Sequence, residues 1–211
     1  MTAALATAFI GPTWTITSER QLREIVGSVP AMTQQKVNRR LDDHTRRFIE
    51  ASPYVCVATS DGQGNADVSP RGDDAGFVRV IDDVTLLMPE RPGNRLADTL
   101  TNLLHEPALG LLFLVPGSPE CLRVNGTAHI QNGPPSLLES MAARGRVPSL
   151  AVVIDIAEVF MHCGRAAIRS RIWDPNTQFT DPRADLLIGD FLGVADEVAS
   201  EIISTYNCTD L

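Results

Sequence analysis

Apolar residues follow two different periods along the chain, and the change falls at Pro53. Before Pro53 they recur at helical spacing behind charged positions, which predicts a helix that begins at Thr33. Its buried face would carry Val37, Leu41, Thr45 and Phe48 or Ile49. An earlier short helix is predicted with Ser18 as its N-cap and Gly27 just past its end. Residues 1–52 are therefore expected to form a helical extension.

Beyond this point the chain is rich in β-branched and aromatic residues and is divided by turn signals, which predicts strands. The strand candidates are residues 54–59, 66–69, 77–81, 85–88, 108–115, 121–130, 150–156 and 159–162. Turn residues at 61–65 predict a hairpin between the first two, and Asn125-Gly126 predicts a bulge or bend. Helices are predicted after Asn94, which would cap the first of them, at 136–143, and from about 184 to 211.

Six or so strands in hairpin succession, with helices at both ends, describe a mainly β fold. Consecutive strands lack the regular intervening helices that a parallel sheet needs, so a six-stranded antiparallel barrel with flanking helices is expected. A length of 211 residues fits a single domain, 1–211, that includes the helical extension and the C-terminal helical segment.

The net charge of -8 argues against a nucleic-acid-binding protein, which would need clustered basic residues. The four cysteines and four histidines show no spacing typical of a metal site. No apolar run approaches the roughly 18 residues of a membrane span, and the first ten residues lack a basic segment, so a cytoplasmic protein with reduced thiols and no membrane partner is expected.

Arginine supplies nearly all the positive charge, since Lys36 is the single lysine. Two turns after strand candidates carry arginine, and their polar side chains are Ser69, Arg71, Arg91, Asn94 and Arg95. The planar guanidinium group binds phosphate through two hydrogen bonds, and a helix N-terminus favours an anion. The two turns therefore predict a phosphate site if their strands are neighbours. The alternative is that both are ordinary surface turns with solvated arginines.

Several motifs in order give the chain a resemblance to the FMN-binding proteins related to pyridoxamine 5′-phosphate oxidase. They are Val68-Ser69-Pro70-Arg71-Gly72-Asp73, Thr85-Leu86-Leu87-Met88-Pro89, Gly93-Asn94-Arg95, Leu111-Leu112-Phe113-Leu114-Val115-Pro116-Gly117, Leu122-Arg123-Val124-Asn125-Gly126 and His162-Cys163. The resemblance covers roughly residues 41–175 and is strongest to a bacterial branch with the Ser-Pro-Arg-Gly-Asp signature. It implies a split β-barrel homodimer that holds two FMN molecules in clefts between its subunits.

The resemblance also implies roles for individual residues. Contacts along the flavin ring and the ribityl chain would come from Val68, Ser69, Pro70 and Arg71. Met88 and Pro89 would pack at the end of their strand. Asn94 and Arg95 would hold the phosphate, with Arg91 as a helper.

A segment after the last strand corresponds in the family to a part that approaches the flavin of the other subunit. Its candidate contacts are Arg165, Arg169, Arg171 and Trp173, and the first two would share a helical face. The alternative is a salt-bridged surface helix with a packing tryptophan. The family's vitamin-forming oxidase carries a histidine in this region, whereas residues 171–175 contain none, which argues against oxidation of pyridoxine phosphate. The branch usually has lysine in place of Arg165.

The expected function is an FMN-dependent oxidoreductase that acts on a small-molecule substrate. A non-enzymatic protein that stores FMN or senses redox state is an alternative. So is a relative that binds haem or deazaflavin, for which His162 would be the candidate haem ligand. A buried structural role is the more frequent one for a histidine in a strand.

Overall fold

A computed structural model of the chain describes residues 14–178 and 187–204. These residues fall into two compact units, and the division along the sequence lies between Val37 and Asn38. The first unit contains helix α1, Glu19–Val26, and the single turn α2, Ala31–Gln34. Ser18 caps α1 by accepting a hydrogen bond from the backbone N–H of Gln21, and Gly27 follows the helix with φ 78°, both as predicted. That residues 1–211 form a single domain stays a prediction.

The long helix predicted from Thr33 to Ile49 is wrong. Asn38 and Val159 exchange two backbone hydrogen bonds, of 3.0 and 2.7 Å, and the N–H of Leu41 donates to Asp83 O at 2.8 Å. These bonds to distant strands and turns require extended backbone, which overrides the helical spacing of the apolar residues.

Helix α3, Asp43–Ala51, begins instead at its own cap. The Asp42 carboxylate accepts a hydrogen bond from the Thr45 N–H at 2.8 Å, and the Thr45 hydroxyl accepts one from the Asp42 N–H at 2.9 Å. This reciprocal pair satisfies two backbone donors and fixes where the helix begins.

We expect Asp42→Ala to lower the free energy of unfolding by about 1 kcal/mol, because the cap is lost. The hydrogen bond from the Thr45 N–H lowers the pKa of Asp42. The cap's contribution should therefore be present above the ordinary pKa of aspartate and fade as the pH falls below it. Urea denaturation across this pH range measures both effects. Asp42→Asn should retain the cap without its pH dependence, and equal losses in the two variants would contradict the assignment.

The second unit is built on one antiparallel sheet of seven strands. The strands are β1 Tyr54–Ser60, β2 Ala66–Gly72, β3 Arg79–Val80, β4 Thr85–Pro89, β5 Ala108–Leu114, β6 Cys121–Gln131 and β7 Ala151–His162. Their order is β2-β1-β5-β6-β7-β4-β3. The mainly β antiparallel fold is confirmed, and the sheet has seven strands where six or so were expected. The candidate 77–81 forms only the two-residue strand β3, and the candidates 150–156 and 159–162 form one continuous strand, β7.

One face of the sheet carries the core. Alternate residues of β1 and β5 are buried, and β6, β7 and β4 add further apolar side chains to the same cluster. Fully buried members include Val55, Val57, Leu111, Phe113, Leu122, Val124 and Ile154. The register shift between Asn125 and Gly126 confirms the predicted bulge. It lets the 11-residue β6 pair along the whole of the 12-residue β7.

The remaining described helices lie between and after the strands. They are α4 Asp98–His105, α5 Pro135–Ser140, α6 Arg165–Ser170, α7 Leu187–Leu192 and α8 Asp196–Ser204, with a 3₁₀ turn at Pro175–Thr177. The helical C-terminal segment is confirmed where it is described, and the part predicted beyond Ser204 lies outside the described residues. No helix among residues 14–178 and 187–204 is long and apolar enough to cross a membrane.

Candidate cofactor-binding cleft

A cavity of about 520 Å³ lies between the end of β2 and the loop that joins β4 to α4, and we call it the cleft. Its lining includes Ser69, Pro70, Arg71, Pro89, Glu90, Arg91, Asn94 and Arg95. The two arginine-bearing turns are thus brought together, although their strands lie at opposite parts of the sheet order. The two strands are not neighbours in the sheet, so the condition set for the site is not met by strand pairing; the turns meet across the cavity instead, and a phosphate site there stays a prediction.

The loop from Glu90 to Ala97 has an irregular backbone. Arg95 and Ala97 adopt left-handed conformations with φ 64° and 59°. The Asn94 side chain accepts a hydrogen bond from the Leu96 N–H at 3.0 Å. Asn94 therefore caps a turn within the loop, and the prediction that it opens the helix is wrong: α4 begins at Asp98.

Helix α4 begins at the wall of the cleft without a side-chain cap. Its first three residues, Asp98, Thr99 and Leu100, line the cavity. The other face of α4 is tied to the sheet, since the Asn102 side chain donates to Thr59 Oγ1 at 3.0 Å. Backbone donors without an intrahelical partner therefore lie at the edge of the cleft.

A partly buried ion pair, Arg71 with Glu90, lies in the cleft wall between the two turns. Arg71 Nε lies 3.6 Å from Glu90 Oε2, and the two side chains are 19% and 22% exposed. Both atoms are shielded from solvent and lack a hydrogen-bond partner among the described residues. Another nitrogen of the guanidinium donates to Pro70 O at 3.0 Å. Desolvation raises the pKa of the Glu90 carboxyl, although Arg71 opposes this shift.

Asp73 links the cleft to its surroundings. Its side chain is 2% exposed, and it accepts a hydrogen bond from Arg91 Nε at 2.7 Å. Its other carboxylate oxygen lies 3.3 Å from Arg144 Nη1. The buried negative charge is therefore balanced by two arginines from separate loops. Arg91 forms this ion pair through the Nε edge of its guanidinium group.

We expect Asp73→Ala to lower the free energy of unfolding by about 2 kcal/mol, because hydrogen bonds to a charged group are lost and Arg91 and Arg144 lose their shared, buried counter-ion. Urea denaturation measures the loss. Asp74→Ala is the matched control: the Asp74 side chain is 86% exposed and lies 3.6 Å from Arg144, so the change should stay within about 0.5 kcal/mol. Equal effects of the two substitutions would contradict the role given to Asp73.

A second cavity, of about 620 Å³, adjoins the cleft. The two share Gly72, Glu90, Arg91 and Pro92 as walls. Its far side is the turn after α5, where Ala143 and Arg146 exchange backbone hydrogen bonds of 3.0 and 2.9 Å around Arg144. Val147, Pro148 and Leu150 give this side an apolar surface.

The other predicted contact residues of the two motifs differ in position. Val68 is 65% exposed on edge strand β2 and does not line the cleft. Met88 is fully buried in the core, whereas its neighbour Pro89 forms part of the cleft wall. The Ser69 hydroxyl donates to Asp67 Oδ2 at 3.0 Å. Arg95 is exposed and makes no ion pair with the described residues.

The candidate residues of the segment after β7 lie outside the lining of the cleft of their own chain. None of Arg165, Arg169, Arg171 and Trp173 is among its lining residues. The first two lie on the short helix α6, and Arg171 ends it in a left-handed conformation 3.9 Å from Asp174. Trp173 is 36% exposed and donates from its indole N–H to Ser118 O at 2.7 Å. This bond anchors the segment to the β5–β6 turn.

The histidine and cysteine candidates form no metal site among the described residues. His162 ends β7 and makes an edge contact with the Phe160 ring at 4.9 Å between centroids. Desolvation, together with nearby Arg123, lowers the pKa of His162. Cys163 is exposed just beyond the strand.

Sequence reasoning missed three charged residues of this region. Asp73 ends the first motif and Glu90 directly follows Pro89 of the second, but nothing in the local sequence indicates that either residue forms an ion pair. Arg144 lies far along the chain, and its only local signal is the Arg144-Gly145-Arg146 turn composition. Pairing among them depends on how the loops pack, which no local pattern encodes.

A family model described as pyridoxamine 5′-phosphate oxidase matches residues 41–163, which include the cleft, the bulge and every strand. The chain belongs to the pyridoxamine 5′-phosphate oxidase family. Its antiparallel sheet of seven strands is consistent with the split barrel expected for this family. A search of curated proteins found no match to this family member.

Solved structures similar to this member of the pyridoxamine 5′-phosphate oxidase family include HupZ of Group A Streptococcus, at 21% identity and a TM-score of 0.48 over 57% of this chain and 93% of that one. Another is described as a putative pyridoxamine 5′-phosphate oxidase of Lactobacillus delbrueckii, at 22% identity and a TM-score of 0.47 over 58% and 95%. A third, from Clostridium acetobutylicum, is described as related to a general stress protein, at 14% identity and a TM-score of 0.44 over 57% and 86%.

Proposed function

We propose that this protein is an FMN-dependent oxidoreductase that binds one FMN in each cleft of a homodimer and acts on a small-molecule substrate. The observation that carries the proposal is the meeting of both arginine-bearing turns in one cavity of a chain with net charge -8. Family membership supports a cofactor at this place but does not by itself identify it.

The residues present fit an FMN molecule. The cavity of about 520 Å³ lies within the range of about 300–1,000 Å³ that is usual for ligand sites. Arg95, the irregular backbone at Asn94 and the uncapped start of α4 would bind the phosphate. Pro70 and Pro89 offer apolar surface to a ring. The orphaned guanidinium nitrogen of Arg71 supplies a donor in need of an acceptor.

FMN, when bound, would supply the hydride or electron transfer, so the protein needs to bind, orient and shield it. Arg71 would place positive charge beside the flavin and favour its reduced, anionic form. Asp73 would keep Arg91 oriented at the boundary of the cleft. The second cavity would admit the substrate, because it opens onto the same wall formed by Glu90 and Arg91.

The proposed homodimer would complete the cleft. Arg165, Arg169, Arg171 and Trp173 lie outside the cleft of their own chain, so they could contact FMN only from a partner subunit. Light scattering of the FMN-loaded protein should give the mass of two chains. A monomer that retains tightly bound FMN would contradict the two-subunit site.

Titration with FMN and with riboflavin tests the proposed cleft. FMN should bind at least tenfold more tightly, because a phosphate with charge-assisted hydrogen bonds contributes about 1.5–3 kcal/mol. Equal affinities would contradict a phosphate site at residues 94 and 95.

Steady-state assays of the FMN-loaded protein test the oxidoreductase. Reduced nicotinamide with a panel of small acceptors should give turnover that depends on bound FMN. Absence of turnover across the panel would favour the alternative, a protein that stores FMN or senses redox state.

A further inference from the structure

Glu90 has an unusual position for an acidic residue in a cleft proposed to hold an anion. It lies at the end of β4 in the wall shared by the two cavities, and its N–H donates to Leu150 O at 3.0 Å. The backbone is thus fixed, while the carboxylate turns toward Arg71. A negative charge at this point competes with any anion for the same guanidinium group.

The geometry of the pair is that of a weak contact. The facing atoms, Arg71 Nε and Glu90 Oε2, are 3.6 Å apart, beyond hydrogen-bond distance, and both are shielded from solvent without another partner. By comparison, Arg91 reaches Asp73 at 2.7 Å. Arg71 is therefore held less firmly than its neighbour, and an anion that offers it hydrogen bonds can take over the contact.

We propose, resting on the proposed function, that Glu90 is a positioning residue: its carboxylate holds the Arg71 guanidinium in the cleft until an anionic group of the ligand replaces it, and Glu90 then takes up a proton from solvent. The proton balances the charge, because the incoming anion takes over the role of the carboxylate. Two adjacent negative charges in a partly buried site would otherwise repel one another.

Several charged groups surround Glu90 and set the background for its titration. Those that line the two cavities are Arg71 on β2, Asp73 after β2, Arg91 and Arg95 in the β4–α4 loop, Asp98 on α4, and Arg144 and Arg146 after α5. Arg91 and Arg144 are engaged by Asp73. Burial already raises the pKa of Glu90, and replacement of its contact with Arg71 by an anion would raise it further and favour protonation.

Calorimetric titration in buffers of different ionisation enthalpy counts the protons taken up on binding. The probes are FMN, inorganic phosphate and riboflavin. Binding of an anion that contacts Arg71 should take up as much as one proton more in the wild-type protein than in Glu90→Gln. The phosphate group itself titrates near pH 6, and this contribution is common to both proteins and cancels.

The anion could be the phosphate or the reduced flavin ring, and the probes distinguish them. Extra proton uptake with FMN and inorganic phosphate, but not with riboflavin, places the phosphate at Arg71. Extra uptake only when bound flavin is reduced with dithionite places the ring there. Either result supports the role of Glu90.

Two further variants separate positioning from a structural role. Glu90→Asp keeps a titrating carboxylate and should retain the extra proton uptake, whereas Glu50→Gln removes one exposed charge on α3 and should behave as wild type. In Glu90→Gln the affinity for the anion should become less dependent on pH and should rise several-fold at mildly alkaline pH.

Equal proton uptake in the wild-type and Glu90→Gln proteins, for all probes and on reduction, would overturn the inference. A shift in affinity that is the same at every pH would also overturn it, because it would indicate a structural role alone. Failure of FMN to bind either protein would contradict the proposed function instead. In that case extra proton uptake with inorganic phosphate would still support the role of Glu90, and its absence would overturn it.

Discussion

Gly126→Ala is expected to lower the free energy of unfolding by about 3 kcal/mol or more. A Cβ at this position would overlap the carbonyl oxygen of Asp155 and lie 3.3 Å from Ile156 Cα. Both neighbours are backbone atoms of β7, so relief requires a shift of the β6–β7 pairing at the bulge. Because β6 and β7 form the centre of the sheet, the loss should extend to the whole second unit.

Urea denaturation with an unchanged slope measures this loss. Gly93→Ala is the matched control, since a Cβ there meets no atom within 4 Å and its φ is not in the left-handed region. It should alter the free energy of unfolding by less than about 0.5 kcal/mol. A similarly small effect of Gly126→Ala would show that the bulge accommodates a side chain.

Arg71→Ala is expected to weaken FMN binding by roughly 10-fold to 100-fold. The substitution removes the guanidinium group between the two turns and leaves Glu90 without its counter-ion. Fluorescence titration of the FMN-free protein measures the change. Arg47→Ala, on the exposed face of α3, is the control and should leave the affinity unchanged.

The double variant Arg71→Ala/Glu90→Gln distinguishes lost binding from local misfolding. It leaves no uncompensated carboxylate in the cleft, so it should regain any stability lost in Arg71→Ala while FMN binding stays weak. Unchanged FMN affinity in Arg71→Ala would remove Arg71 from the proposed site.

The strands were predictable because their signals are local. Alternating burial along β1 and β5 and the turn at residues 61–65 are properties of neighbouring residues. The bulge at Asn125-Gly126 was predictable for the same reason. The helix predicted through Leu41 does not form, because the backbone of this segment forms hydrogen bonds with residues in other parts of the chain. Leu41 donates to Asp83, and Asn38 exchanges two bonds with Val159.

The residues of the cleft could be predicted from the sequence, but the ion pairs among them could not. The motifs place Ser69 and Arg71 near the end of one strand and Asn94 and Arg95 in the loop after another. The resemblance to the family implies that all four contact the same cofactor. The pairing of Glu90 with Arg71, and of Asp73 with Arg91 and Arg144, depends on distances set by tertiary packing. Such pairs leave no period or spacing in the sequence.

The absorption spectrum of the freshly purified protein, with mass identification of the released chromophore, tests the central claim most directly. The proposed site predicts a flavin spectrum, the mass of FMN and one molecule per chain, or stoichiometric uptake of added FMN if the protein is isolated colourless. A haem or deazaflavin chromophore, or a colourless protein that takes up no FMN, would contradict the claim.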